Sequence, residues 1–167
     1  VAAALRCCAT QAMRRRLHPD PYRTVIQQFN RQGVQYVVVG LSGINYYART
    51  PAETFATLDY DMFIEPTLSN VGRATQVLQR LGFTLGTARG PLERGTLKAI
   101  VREGRILMAT TPDGVMVELL LRMSGYPFSE LAKDAATFTV RGIPVKVGRL
   151  TKLLRSKKLA GRSKDRD

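Results

Sequence analysis

The chain has little of the chemistry that disulfide scaffolds, zinc-histidine sites and serine hydrolases require. Its two cysteines, Cys7 and Cys8, are adjacent, and neighbouring cysteines rarely bridge, so no disulfide framework is expected. Its single histidine is His18, which leaves almost no material for a His-rich zinc site or a Ser-His-Asp triad. This cysteine usage makes a reducing, cytoplasmic setting the default expectation.

Long hydrophobic runs and acidic residues are also scarce. No apolar run approaches the ~20 residues needed to span a bilayer, so no membrane partner is expected. Acidic residues number 13 against 26 lysines and arginines, which gives a net charge of +13. The surplus lies at the two ends of the sequence, because residues 50–140 hold nine basic and ten acidic residues. Two basic ends indicate a polyanionic partner such as nucleic acid or nucleotide phosphate. The alternative is a surplus that only aids solubility.

The length of 167 residues fits one domain. We expect a basic N-terminal extension over residues 1–20 and one domain over residues 21–167. The pattern predicts an α/β (α+β) fold, in which helices pack on a mixed sheet of roughly five or six strands. The predicted helices begin near Tyr22, Ile44, Thr67, Ser129 and Leu150, with Ser163 as the cap of another. The predicted strands cover 36–39, 58–64, 100–102, 106–110, 115–121, 137–140 and 143–147, and residues 86–96 form a loop.

The first chemical motif is the pair Asp59 and Asp61 in a predicted strand. Strand side chains alternate, so both aspartates point to one face, and Leu58 and Tyr60 point to the other, apolar face. Two unpaired carboxylates on one face repel each other, and a hard divalent cation such as Mg²⁺ relieves that repulsion. The alternative is a half-exposed strand with a solvated acidic face.

The second motif is a glycine-containing turn, Gly40-Leu41-Ser42-Gly43, between a short apolar strand and a helix. Backbone N–H groups at such a helix start favour phosphate, and the Ser42 hydroxyl would add a donor. The alternative is an ordinary tight turn. The spacing matches neither a Walker loop nor a dinucleotide fingerprint.

The third motif is Glu118, a lone acid inside the apolar run Val115–Leu121. An acid in such a strand lies either at a sheet edge or in a functional site. Two other carboxylates in the chain are already candidates for a site, and this favours the second interpretation.

The fourth motif lies in the last predicted helix, where Lys157 shares a face with Leu150, Leu153 and Leu154. That face should dock on the core. Lys157 therefore either extends its amine to the rim or points at an anion in a cleft. A further charged cluster, with Arg162 and Asp165, follows it.

Taken together in this order, the four motifs resemble the minimal nucleotidyltransferase superfamily with the polymerase-β-type catalytic fold. More narrowly, they are similar to its bacterial branch of AbiEii-type toxins and related standalone domains. That branch has a glycine turn after the first strand, Asp-x-Asp preceded by Thr or Ser, a third carboxylate, and a C-terminal Lys…Ala…Arg…Lys-Asp stretch. The matching residues, within about residues 34–165, are Gly40, Ser42, Thr57, Asp59, Asp61, Glu118, Lys157, Ala160, Arg162, Lys164 and Asp165.

The sequence departs from the family pattern at three positions. Leu41 stands where the turn usually has a second glycine, and Phe55 stands where an arginine is often found. The third acid, Glu118, is more commonly an aspartate. These departures put phosphate approach and one substrate contact in question.

The resemblance implies transfer of a nucleoside monophosphate from a nucleoside triphosphate to an acceptor. Asp59, Asp61 and Glu118 would hold Mg²⁺ or Mn²⁺, and Glu118 would complete that site or take the acceptor's proton. Nucleotide contacts would come from Gly40, Ser42, Lys157, Arg162 and Asp165.

The preferred acceptor is RNA, particularly tRNA, because related toxins act on tRNA and the chain's ends are basic. A protein hydroxyl or a small molecule such as an aminoglycoside is the alternative acceptor. An antitoxin partner would accompany a toxin role. The competing interpretations are a catalytically degenerate module of the same fold that binds RNA or a partner protein, and a plain RNA-binding protein of unrelated fold.

Overall fold

The computed structural model describes residues 20–164, and of residues 162–164 it describes the backbone alone. In this part of the chain eight strands form one mixed sheet. The strands are β1 (Tyr36–Val38), β2 (Tyr60–Ile64), β3 (Thr84–Thr87), β4 (Gly90–Pro91), β5 (Leu107–Thr110), β6 (Met116–Leu120), β7 (Ala136–Val140) and β8 (Ile143–Val147). The helices are α1 (Pro21–Gln32), α2 (Gly40–Asn45), α3 (Leu68–Arg80), α4 (Leu97–Glu103), α5 (Phe128–Lys133) and α6 (Leu150–Lys164).

The spatial order of the strands is β4-β3-β5-β6-β2-β1-β8-β7. The pairs β2–β6 and β1–β8 are parallel, and the other neighbours are antiparallel. The central strands β1, β2 and β6 thus come from distant parts of the sequence. Strand β2 contains Asp61 and directly follows Asp59, and β6 contains Glu118. This arrangement places the two strands side by side.

Local sequence signals set the ends of the helices that pack on this sheet. The Asp20 side chain accepts hydrogen bonds from the Tyr22 and Arg23 N–H groups at the start of α1, as expected for an N-cap aspartate. Gly33 ends α1 in the left-handed conformation, at φ 68°, which glycine adopts without a steric penalty. The Thr67 hydroxyl caps α3 by accepting from the Asn70 N–H.

The core lies against one face of the central strands. Along β5 and β6, Leu107, Ala109, Val117 and Leu119 are fully buried, whereas the alternating residues are only partly buried. The alternation follows from the period-two geometry of a strand. One face of these strands is therefore packed, and the other face, which carries Glu118, is partly open.

The expected mixed α/β architecture is confirmed, but the sheet has eight strands rather than five or six. The two strands that were not predicted, β3 and β4, overlap the segment 86–96 that was expected to be a loop. They form a hairpin that extends the sheet beyond β5. Within the described residues no helix has both the length and the apolar composition that a membrane crossing requires.

Some predictions about local structure were wrong. Residues 100–102 belong to helix α4 rather than a strand, because Gly104 at φ 65° ends the helix and bonds the Ile100 and Val101 carbonyls. The side chain of Leu58 is 90% exposed and precedes β2, so it does not join the apolar face. The second helix covers Gly40–Asn45 instead of starting at Ile44.

Two predictions concern the chain ends. The C-terminal helix that was expected to begin at Ser163 is absent from the described residues, since the backbone of α6 continues through that position. The predicted N-terminal extension lies outside the described residues apart from its last residue, Asp20.

Candidate active site

Three carboxylates meet on the partly open face of the sheet. Asp59 lies immediately before β2, Asp61 is the second residue of β2, and Glu118 is in the middle of β6. The parallel register of β2 and β6 places Asp61 directly beside Glu118. One oxygen from each of the three residues lies within 4.8 Å of the others. The described residues therefore contain a group of carboxylates that can hold a metal ion.

The electrostatics of this cluster oppose full ionisation. Burial, followed by repulsion from Asp59 and Glu118, raises the pKa of Asp61 from 3.8 to about 7. Burial and then repulsion from Asp59 also raise the pKa of Glu118. Desolvation and like charges both disfavour the charged form of a carboxylate. A bound cation would favour the charged form of these carboxylates and so offset both effects.

Two hydroxyl groups fix the segment that carries the aspartates. The Thr57 hydroxyl donates to the Asp59 carboxylate over 2.7 Å. The Ser42 hydroxyl donates to the Asp59 carbonyl oxygen over 3.1 Å and accepts from the Asp61 N–H over 3.2 Å. Ser42 is only 4% exposed. Its single proton is used inside the protein, so its contacts are those of a positioning residue for both aspartates.

Gly40 allows the start of α2 to approach Asp61 closely. Its φ is +62°, and a Cβ at this position would collide with the Asp61 carboxylate, whose Cγ would lie only 3.0 Å away. The neighbouring Val39 N–H donates to the Asp61 carbonyl oxygen over 3.0 Å. Glycine is thus required here for conformational freedom and for space.

A cavity of about 430 Å³ lies beside the carboxylate cluster. We call it the Lys157 cavity. Asp61 and Gly40 lie on one side of it, and Lys157 and the buried Leu153 of α6 lie on another. Arg122, which follows β6, also lines the cavity, but its guanidinium lies against Gly104 and donates to the Arg102 carbonyl over 3.4 Å. A space of this size suits a small ligand, and its lining combines the carboxylate of Asp61 with the amine of Lys157.

Phe55 lies near the amine of Lys157. The Lys157 Nζ is 5.9 Å from the centre of the Phe55 ring, at the outer limit for a cation–π contact. The Phe55 backbone is held by Asn45, whose amide donates to the Phe55 carbonyl and accepts from its N–H, over 2.9 and 2.8 Å. The loop before the aspartates is therefore anchored to the end of α2.

The structure brings five of the predicted site residues together: Gly40, Asp59, Asp61, Glu118 and Lys157. Ser42 is close to them but is buried, with the backbone contacts given above. The side chain of Arg162 and the whole of Asp165 lie outside the described residues, so their roles stay predictions. One of the leucines expected to dock with Lys157 does not do so, because Leu154 is 43% exposed.

Sequence reasoning missed Arg122 and Asn45. The sequence does contain a signal for Arg122. It stands four residues after Glu118, and in an extended chain side chains an even number of residues apart point to the same side. No local pattern points to Asn45, whose importance arises from the path of the loop that it anchors.

No protein-family model and no curated protein matches the chain. Among solved structures, the chain is similar to JHP933 from Helicobacter pylori, with a TM-score of 0.43 and 12% sequence identity. The similarity covers 84% of this chain and 54% of that protein, so this chain spans about half of its length. A likeness this distant assigns neither a family nor an activity.

Proposed function

We propose that the chain is a nucleotidyltransferase that depends on a divalent cation and moves a nucleoside monophosphate from a nucleoside triphosphate to an acceptor hydroxyl. The observation that carries this proposal is the meeting of Asp59, Asp61 and Glu118 beside a cavity whose wall includes Asp61 and Lys157. Acids that can hold a cation beside a pocket with a cationic side chain suit a substrate with a triphosphate group.

The three carboxylates fit a cation of the magnesium class. All the donors are carboxylate oxygens, which hard cations such as Mg²⁺ and Mn²⁺ prefer. The raised pKa of Asp61, about 7, reflects a repulsion that such a cation would relieve. Asp59, Asp61 and Glu118 would hold it, and when bound it would supply positive charge next to the triphosphate.

The side chains of the Lys157 cavity would bind and orient the triphosphate. Lys157 lies on the cavity wall, and an ammonium group makes strong charge-assisted hydrogen bonds to phosphate oxygens. Gly40, which has no side chain, would let Asp61 keep its place at the cavity wall. Ser42 would act indirectly, by holding the backbone of both aspartates in place.

The reaction would require only that the two substrates are positioned and that their negative charge is stabilised, with one proton transferred from the acceptor hydroxyl. The acceptor oxygen would form a bond to the α-phosphorus, and the bond from that phosphorus to the pyrophosphate oxygen would break. Pyrophosphate would leave with the electron pair of the broken bond. The proton of the acceptor hydroxyl would pass to Glu118, which lies at the open side of the cluster and is only partly buried, and from there to solvent.

The direct test is transfer of label from α-³²P nucleoside triphosphates to an RNA or protein pool. With Mg²⁺ present we expect labelling by the wild type, and loss of about a hundredfold or more in the double variant Asp59→Ala with Asp61→Ala, since charge stabilisation at a reacting centre is worth that much. Asp113→Ala is the matched control. Asp113 is an exposed acid in the turn between β5 and β6, and its loss should leave labelling unchanged.

Two outcomes would count against the proposal. If no nucleoside triphosphate labels any acceptor pool in the presence of Mg²⁺ or Mn²⁺, a binding module without catalytic activity becomes the better interpretation. If the double variant labels as well as the wild type, the carboxylate cluster has no part in the reaction.

A further inference from the structure

Phe55 is an aromatic side chain that the fold leaves open to solvent. The chain has six phenylalanines and six tyrosines, all within the described residues, and Phe55 alone among them is exposed, at 54%. No other aromatic ring in the described part of the chain stacks against it. A single exposed hydrophobic side chain is common on protein surfaces, so its meaning depends on where it lies and how it is held.

The backbone of Phe55 is held in place although its ring is open. The Asn45 amide donates to the Phe55 carbonyl and accepts from its N–H. Earlier in the same loop the Glu53 carboxylate accepts from the Arg49 N–H over 2.7 Å. A contact residue whose position is fixed before a ligand arrives loses less conformational freedom on binding. The loop therefore presents the ring in a prepared position.

Helix α2 and Lys157 place this ring beside the candidate site. The first residue of α2, Gly40, lies against Asp61, and its last residue, Asn45, holds Phe55. The Lys157 Nζ is 5.9 Å from the ring centre. Lys157 lines the Lys157 cavity, whereas Phe55 does not. The ring thus lies next to this cavity and outside the space that a triphosphate would fill.

The chemistry of Phe55 suits the part of a nucleotide that carries no charge. Phe55 stands where the family pattern often has an arginine, and a phenyl ring cannot make that residue's charged contact. A nucleoside triphosphate has one flat ring system, the nucleobase, which the ribose keeps apart from the phosphates. Aromatic side chains bind nucleobases by stacking. An open ring next to a phosphate-binding lysine is therefore suited to the base of the same nucleotide.

We propose that Phe55 stacks on the nucleobase of the nucleoside triphosphate whose phosphates lie in the Lys157 cavity. This inference rests on the proposed nucleotidyltransferase function and adds a preference for purine nucleotides. The two fused rings of a purine cover more of a phenyl ring than the single ring of a pyrimidine does. Stacking therefore stabilises bound ATP and GTP more than bound CTP and UTP.

A fluorescence measurement tests the contact directly. The chain has no tryptophan, so Phe55→Trp introduces a single indole at the proposed position. A non-hydrolysable ATP analogue with Mg²⁺ should quench its emission, whereas inorganic tripolyphosphate with Mg²⁺, which has no base, should not. Leu68→Trp is the matched control, because Leu68 is 49% exposed at the start of α3 and does not line the Lys157 cavity. Neither ligand should change its emission.

Affinities measured by calorimetry separate stacking from a structural effect. Phe55→Ala should weaken binding of the ATP analogue about tenfold and weaken binding of a CTP analogue less. It should leave binding of tripolyphosphate unchanged, whereas Phe55→Trp should bind the ATP analogue at least as well as the wild type. Leu58→Ala removes a 90% exposed apolar side chain from the same loop and should change none of these affinities.

Three results would overturn the inference. The first is an indole at position 55 whose emission does not respond while the ATP analogue binds. The second is wild-type affinity for that analogue in Phe55→Ala. The third is an equal loss for the analogue and for tripolyphosphate in Phe55→Ala, because the ring would then act through the Lys157 amine.

Tripolyphosphate distinguishes these failures from failure of the proposed function. If the wild type binds tripolyphosphate with Mg²⁺, Lys157→Ala weakens that binding and the Phe55 variants bind the ATP analogue normally, the base lies elsewhere and the catalytic proposal stands. If the wild type binds neither tripolyphosphate nor the ATP analogue, the proposed function fails at its first step, and the stacking contact fails with it.

Discussion

Replacing Asp61 by asparagine should stabilise the metal-free protein at alkaline pH. Asparagine has nearly the same shape as aspartate but does not ionise, so the substitution removes the charge and keeps the packing against Gly40. The pKa of Asp61 rises from 3.8 to about 7 through burial and the nearby Asp59 and Glu118. The folded protein therefore holds a proton that the unfolded chain has already released.

The sign of the effect follows from this difference in proton binding. Below pH 3.8 both states are protonated and Asp61 contributes nothing. Between 3.8 and about 7 the folded state binds more protons, so stability falls as the pH rises. Above about pH 7 the full penalty of the buried charge is present. The advantage of Asp61→Asn should therefore be largest at pH 8 and only about a third as large at pH 5.

The magnitude follows from the size of the pKa change. A rise from 3.8 to about 7 corresponds to about 4 kcal/mol at ~1.36 kcal/mol per pKa unit. Because Asp61 keeps some solvent contact, which screens charge, we expect the measured gain at pH 8 to be about 1–2 kcal/mol. For a chain of this length that gain raises the Tm by about 3–8 °C.

Denaturant unfolding in EDTA, at pH 5 and pH 8, measures this difference. Asp113→Asn is the control, because a hydrogen bond from Thr111 lowers the pKa of this exposed acid and its removal should bring no gain at pH 8. Added Mg²⁺ should stabilise the wild type and not Asp61→Asn. A variant less stable than the wild type at pH 8 without metal, or a gain equal at both pH values, would refute the reasoning.

Other substitutions test the parts that position the site. Gly40→Ala and Gly33→Ala should each lower the free energy of unfolding by about 1–2 kcal/mol, because both glycines have positive φ. Only Gly40→Ala should also abolish the stabilisation by Mg²⁺. Equal responses of the two variants to Mg²⁺ would contradict the close approach of Gly40 to Asp61. Ser42→Ala removes the hydrogen-bond acceptor of the Asp61 N–H and one of two donors to the Asp59 carbonyl, the other being the Thr57 hydroxyl. Unfolding measurements should therefore show a loss of about 1–3 kcal/mol, and an unchanged stability would show that water replaces the hydroxyl. Lys157→Ala should raise the KM for the nucleoside triphosphate about tenfold, and the control Lys158→Ala should leave it unchanged. Equal kinetics for the two variants would show that Lys157 does not contact the nucleotide.

The candidate acids were predictable from local pattern, because alternation along β2 and an acid within an apolar run mark residues that ordinary strands avoid. Their meeting was not predictable from those patterns. It depends on the parallel pairing of β2 with β6 and on a register that sets Asp61 beside Glu118. Register is fixed by tertiary packing, and the two strands are separated by more than 50 residues.

The wrong elements show where local signals compete. Ile100 and Val101 are β-branched, and this favoured the prediction of a strand. The segment is a helix, because Gly104 caps its C-terminus and its N–H bonds the carbonyls of both residues. The hairpin of β3 and β4 is rich in glycine and carried no strand pattern, although it pairs with β5.

The central claim is that Asp59, Asp61 and Glu118 hold one divalent cation next to a bound triphosphate. Crystals grown with Mn²⁺ and a non-hydrolysable nucleoside triphosphate, with diffraction recorded at the manganese absorption edge, test this directly. We expect an anomalous peak between the three carboxylates, with phosphate density in the Lys157 cavity. Bound nucleotide with no manganese between these acids, or manganese bound only elsewhere on the protein, would contradict the claim.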